Sequence, residues 1–326
     1  MARVPCLLLL DVSPRKILKM SLPTFWRKRK KVGKPLLGKL VSLFLVLVTW
    51  GVMEGAIAAP YSPLKQGIEA LQQQHYEAAL QHFAAAAESG QTVGDAYSYQ
   101  CLTFLMLNKP QQATEHCQAA LKVDAEHPQA RFYQGLAHYR LGQFEAAIAA
   151  LNHHLAAHPD DSRAYYNCGL AKFAQGDVRG AIAQYHQALT YAAALTTMEM
   201  SNLYNDLGVA YWATDAMPEA KFALDQAVAM DTQDTRAYFN RGCICHHLGH
   251  YQAALQNFEQ VLALDPHHAS TYLNRGIVQQ QLGNLSAAQQ DYQTAAEQFR
   301  QQGDLTHAQQ AQLRWHQLQK SPAAVG

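Results

Sequence analysis

Small residues return along this chain at a spacing of 34. Gly67, Cys101, Gly135, Gly169, Gly208, Gly242 and Gly276 step by 34, 34, 34, 39, 34 and 34 residues. Twelve residues after each of them stands an alanine: Ala79, Ala113, Ala147, Ala181, Ala220, Ala254 and Ala288. Seven residues after each comes a residue that tolerates a tight turn: Gln74, Asn108, Gly142, Gly176, Asp215, Gly249 and Gly283. Four residues past the alanine the side chain is large and apolar in six units (Phe83, Leu151, Tyr185, Leu224, Phe258, Tyr292), with Cys117 in the second. Spacings of four and seven beyond the alanine trace one face of a helix. A period of this size marks a supersecondary unit copied in tandem, which buries its apolar face only against its neighbours.

This pattern resembles the tetratricopeptide repeat family. That unit has two antiparallel helices, with small residues at positions 8, 20 and 27 and larger ones at 4, 7, 11 and 24. Tyr165, Tyr204, Tyr238 and Tyr272 fall at position 4, Tyr211 at 11, and Tyr76, Phe144 and Tyr251 at 17. The resemblance implies seven units, at 60–93, 94–127, 128–161, 162–200, 201–234, 235–268 and 269–302. It implies an all-α, right-handed superhelical solenoid of helix-turn-helix repeats. Residues 303–320 read as a capping helix and 321–326 as a tail. Glycine or alanine at positions 8 and 20 lets the two helices of a unit approach closely, where a larger side chain would overpack. Five extra residues around Ala193–Met200 are expected to lengthen the second helix of the fourth unit or its loop.

Charge divides the chain near residue 59. Residues 1–59 carry eleven Lys/Arg against Asp11 and Glu54, leaving fifteen basic and twenty-three acidic side chains in the rest. The acidic body argues against nucleic-acid binding, which needs a basic face to neutralise phosphates. The basic run at 27–39 leads into the uncharged Leu40–Met53, about 21 Å long as a helix and short of the ~30 Å hydrocarbon core. With Ala56-Ile57-Ala58 following, the segment fits a secretory signal cut after Ala58. The alternative is an uncleaved anchor, with membrane association through residues 40–59. Both place the repeats outside the cytoplasm, in a periplasm or lumen, and Met20 is a second candidate start.

The family resemblance also implies where a partner would sit, since the first helix of each unit lines the groove through positions 2, 5, 6, 9, 12 and 13. Position 6 carries Asn167, Asp206, Asn240 and Asn274 in the last four units, and position 2 carries Arg163 and Arg236. The asparagines resemble the ladder with which a repeat domain of this family holds the backbone of an extended peptide. An amide offers both donor and acceptor to a peptide unit, whatever its side chain. The alternative is that these amides bond within the repeats. Tyr139, Phe173, Trp212 and Phe239 are candidate aromatic anchors in the groove. The expected partner is a protein or peptide, with no small-molecule substrate and no cofactor.

The cysteines of the body fall on core positions (Cys101, Cys117, Cys168, Cys245) or in the groove (Cys243), and read as buried small hydrophobes rather than a disulfide framework. Cys243 and Cys245 diverge by about 200° on one helix, so their sulfurs cannot share a metal ion. His246 and His250 stand at i, i+4 and could chelate, which keeps a histidine-bearing metal-delivery protein as one alternative. A membrane-tethered assembly factor is another. Phosphate loops, nucleophile elbows and H-E-x-x-H are all missing from the sequence, so an enzyme is not expected.

Overall fold

The computed structural model describes residues 62–320; the basic run, the apolar segment with the cleavage expected after Ala58, Met20 and the tail at 321–326 lie outside them. The described residues form fifteen α-helices and no strand. They divide into two compact units, with the boundary between Ala150 and Leu151.

The first unit holds α1 (Pro63–Gln72), α2 (Tyr76–Glu88), α3 (Val93–Met106), α4 (Pro110–Val123), α5 (Pro128–Arg140) and the start of α6 (Phe144–Ala157). Pro63, Pro110 and Pro128 each open a helix, where a missing N–H costs nothing. The second unit holds the end of α6, then α7 (Ser162–Gln175), α8 (Val178–Thr190), α9 (Thr197–Ala213) and α10 (Met217–Met230). It continues with α11 (Thr235–His247), α12 (Tyr251–Leu264), α13 (Ala269–Gln281), α14 (Leu285–Gln301) and α15 (Leu305–Gln319). Asp161, Asp177, Asp234 and Asp304 cap four of these helices, each accepting from the free backbone N–H groups of the first turn.

The repeat is legible in the packing. All seven phase alanines are fully buried. All seven turn residues sit at positive φ, between 57° for Asn108 and 93° for Gly176. At Gln74, Asn108 and Asp215 the left-handed backbone is held without glycine. Within a helix pair the marker glycine lies under the large side chain sixteen residues on. A Cβ built on Gly169 would come 2.5 Å from the Tyr185 ring, one on Gly242 2.6 Å from Phe258, and one on Gly208 2.7 Å from Leu224. Glycine is required at these points by contact with a side chain and not by backbone conformation.

One expectation changes, and one of two alternatives is selected. The second pair uses no ring: Cys101 and Cys117 form a disulfide with Cα atoms 5.2 Å apart. The reading of these two as unlinked small hydrophobes is therefore corrected, and their burial stands, since both are fully enclosed. Cys168 and Cys245 are free thiols in the core. The inserted residues of the fourth unit do not lengthen its second helix, because α8 ends at Thr190. They form a short 3-10 turn at Ala192–Ala194 and extend the start of α9 to 17 residues. Thr196 and Glu199 close that start with a reciprocal capping box.

Candidate functional site

Side-chain caps fix where these first helices begin, Asp161 for α7, Thr196 for α9 and Asp234 for α11. Asp161 caps α7 through the N–H groups of Arg163 and Ala164, and Asp234 caps α11 through Arg236 and Ala237. Burial alone would raise the Asp161 carboxyl. The hydrogen bond from His154, the Arg163 charge and the Ala164 N–H outweigh it and hold the group below the usual carboxylate range.

Three first helices then meet in a polar network. The Arg236 guanidinium donates from Nη1 to Asp206 Oδ1 at 2.8 Å and from Nη2 to Asn202 Oδ1 at 2.7 Å. The Tyr166 hydroxyl donates to Asp206 Oδ2. Burial, then the Asp206 charge, push the Tyr166 phenol well above its ordinary range, so it stays a donor. Asn205 Nδ2 donates to Asp206 Oδ1 at 3.0 Å, and Asn240 Nδ2 donates to Asn205 Oδ1 at 2.9 Å. The carboxylate can only accept, so it sets the direction of this relay: each amide turns its NH2 toward Asp206 and its oxygen away. Asn240 Oδ1, at the far end, is buried without a donor. One repeat pair away on the sequence, Asn167 gives its NH2 to the Arg163 carbonyl at 2.7 Å, and its Oδ1 is likewise buried without a donor.

The structure thus brings Asp206, Arg236 and Asn240 together, with Arg163 joined to Asn167. Asn274 is buried on α13 and makes a weak 3.9 Å contact from Nδ2 to Cys243 Sγ. Phe239 is fully buried, its ring 5.9 Å from Phe258 and 5.2 Å from His268, and belongs to the core. Trp212 is half-buried, 6.2 Å from the His247 ring, and Phe173 is half-buried near the end of α7. Tyr139 lies in the first unit, buried 5.9 Å from Phe144. Arg241 and Arg275 turn to second helices: Arg241 donates to Asn257 at 2.7 Å and to Asp225 at 3.2 Å, and Arg275 holds Asp291 through two bonds of 2.7 and 2.9 Å. Sequence reasoning on groove positions did not single out Tyr166, Asn202 or Asn205 as a set. Their signal was present, since Asn202, Asn205 and Asp206 share one face of α9 at i, i+3 and i+4.

His246 Nε2 donates to Gln281 Oε1 across 2.8 Å, and His250 precedes α12. Among the described residues, no three His, Cys, Asp or Glu side chains converge as a metal site would require. No helix of the described residues is long and apolar enough to cross a membrane. A hollow of about 400 Å³ lies between α8, α9 and α10, lined by Leu189, Tyr204, Leu207, Tyr211 and the exposed Phe222.

Paired antiparallel helices, a small-residue seam and a shared left-handed turn define a class of tandem helix-pair repeat proteins. The chain belongs to the tetratricopeptide repeat family, whose models match residues 102–162, 166–234, 235–268 and 269–302. It is similar to a TPR repeat-containing protein of Methanocaldococcus jannaschii, 24% identical over 217 residues that cover 63% of this chain. The match spans only 37% of that relative's length. Among solved structures it is similar to YrrB, described as a TPR protein with an unusual peptide-binding site. The identity there is 24%, with 61% of this chain and 99% of that one covered, at a TM-score of 0.50. It is also similar to PilW, described as a widely conserved type IV pilus biogenesis factor. That pair is 17% identical, covering 68% and 99% of the two chains, at a TM-score of 0.60. At these identities the structural likeness establishes the fold alone.

Proposed function

We propose that the chain is a non-enzymatic interaction scaffold that binds an extended peptide or protein segment along the first helices of its repeats. The observation that carries this reading is the polar network shared by three first helices, in which Asn202 and Asp206 of α9 stay partly exposed. Asn202 Oδ1 accepts from Arg236 and Asp206 Oδ2 from Tyr166, so each oxygen keeps a lone pair that a backbone N–H of an extended segment can meet. Arg236 is engaged by Asp206 and Asn202, so a free carboxylate is a less suitable ligand than a peptide backbone. The peptide-binding site named for YrrB is in keeping with this use of the fold.

We place the scaffold outside the cytoplasm. The basic run followed by an apolar segment supports that, and so does the Cys101–Cys117 disulfide, a bond that persists in oxidising compartments. If residues 40–59 are retained, the same array becomes a membrane-tethered assembly factor.

Binding is tested by screening immobilised peptides and then titrating the best binder against Asn202→Ala and Asp206→Asn. Each substitution should weaken binding roughly 5- to 100-fold, equivalent to about 1–3 kcal/mol. Thermal melts on the same samples separate lost binding from lost fold. Unchanged affinity in both variants overturns the reading. N-terminal sequencing of the protein from fractionated cells decides between cleavage and tethering.

A further inference from the structure

The second helix pair is closed differently from its neighbours. In four other pairs a Phe, Tyr or Leu at position 24 lies over glycine at position 8 with no room for a Cβ: Phe83 over Gly67, Tyr185 over Gly169, Leu224 over Gly208 and Phe258 over Gly242. Tyr292 over Gly276 makes a fifth. In α3 and α4 the same two positions, with the same separation of 16 residues, hold Cys101 and Cys117. Two cysteine side chains bring four heavy atoms into the seam, against seven for a lone phenylalanine. Unlinked, they would leave the pair underpacked where its neighbours are tightest. Linked, they draw the helices to a Cα separation of 5.2 Å.

We propose that Cys101 and Cys117 are a thiol–disulfide exchange site, at which a disulfide-carrying oxidant closes α3 on α4 and makes this repeat's stability conditional on redox state. The chemistry balances without any group from the protein beyond the two thiols. One cysteine thiolate attacks the oxidant's disulfide, forming a mixed disulfide and releasing one carrier thiolate. The second cysteine thiolate attacks the protein sulfur of that mixed bond, forming the Cys101–Cys117 bond and expelling the other carrier thiolate. The two protein thiols are oxidised, the carrier disulfide is reduced to two thiols, and their two protons pass to the carrier. Both cysteines are fully buried in the closed pair, so exchange takes place while α3 and α4 are apart.

The free core thiols do not compete. Cys168 and Cys245 lie in the second unit. Burial pushes the Cys168 thiol up to about 11 and raises Cys245 as well, which keeps both protonated and unreactive. The inference stands apart from the peptide-binding reading and rests on export only for where the oxidant is met.

The test uses the full chain, reduced and then exposed to oxidised glutathione as the oxidant. Peptide mapping should recover residues 101 and 117 in one disulfide-linked species. Hydrogen exchange should show roughly a 100-fold loss of protection in Val93–Val123 on adding dithiothreitol, with Leu285–Gln301 unchanged. The double substitution Cys101→Gly with Cys117→Phe installs the packing of the neighbouring pairs. It should keep full protection in α3 and α4 and lose the response to reductant. Cys101→Ala with Cys117→Ala should behave as the reduced protein with or without reductant. The proposal is overturned if mapping finds both thiols free after oxidation. It is equally overturned if reductant leaves protection in α3 and α4 unchanged. Peptide affinity, measured on the same samples, reports separately on the scaffold reading.

Discussion

At the residue scale, one contact recurs: the marker glycine of a first helix against the side chain sixteen positions later. Helix propensity favours alanine over glycine by about 1 kcal/mol. At Gly242 that gain is opposed by a Cβ placed 2.6 Å from the Phe258 ring, which is enclosed on all sides and cannot retreat. Gly242→Ala should therefore destabilise the protein, by roughly 1–3 kcal/mol, as read in a denaturant melt. A stabilised variant would mean that the seam is looser than the contact implies. The marker, the alanine and the turn residue were all visible in the sequence because backbone geometry restricts each to few side chains. The disulfide was not. A cysteine is an acceptable small core residue, and pairing Cys101 with Cys117 requires knowing that positions 8 and 24 touch.

At the element scale, α7, α9 and α11 are tied by one carboxylate. Asp206 accepts from Tyr166, Asn205 and Arg236, and the Arg236 and Asp206 side chains are only 7% and 15% exposed. A buried pair is costly to break from one side, because the remaining charge is left without its partner. Arg236→Met should lower stability by about 3–5 kcal/mol, and adding Asp206→Leu should recover most of that loss in thermal or denaturant melts. A single substitution without effect would show that the pair is solvated. The position-6 residues could be picked from the 34-residue register, but their hydrogen-bond directions could not. Which end of each amide faces outward depends on a carboxylate one helix away. The aromatic candidates fared unevenly for a similar reason, since a first-helix position is shared between groove and neighbouring repeat, and Phe239 fills the core.

At the scale of the whole chain, the two units share a sensitivity to acid. The His116 imidazole, 4.8 Å from the Phe104 ring, is held below the usual histidine range by burial, partly offset by Glu115. His268 is lowered in the same way, with Asp265 opposing. Unfolded histidine titrates near 6.5, so as pH falls through that value the unfolded chain gains protons before the folded one. Stability contributed by both groups is complete above about pH 7 and declines as pH falls toward 5. Melting temperature measured across that range should drop, and His116→Phe should shallow the drop. A flat profile would mean that both rings titrate in the fold as they do in the unfolded chain. The 34-residue register also bears on ancestry. Because most pairs seal themselves over a fixed offset of sixteen residues, a copied or deleted unit re-enters the chain with its contacts intact, and gene duplication can lengthen such a protein without redesign. The joint formed by Ala192–Ala194 and the lengthened start of α9 breaks that interchangeability, so a unit copied across it would not meet the same helix start.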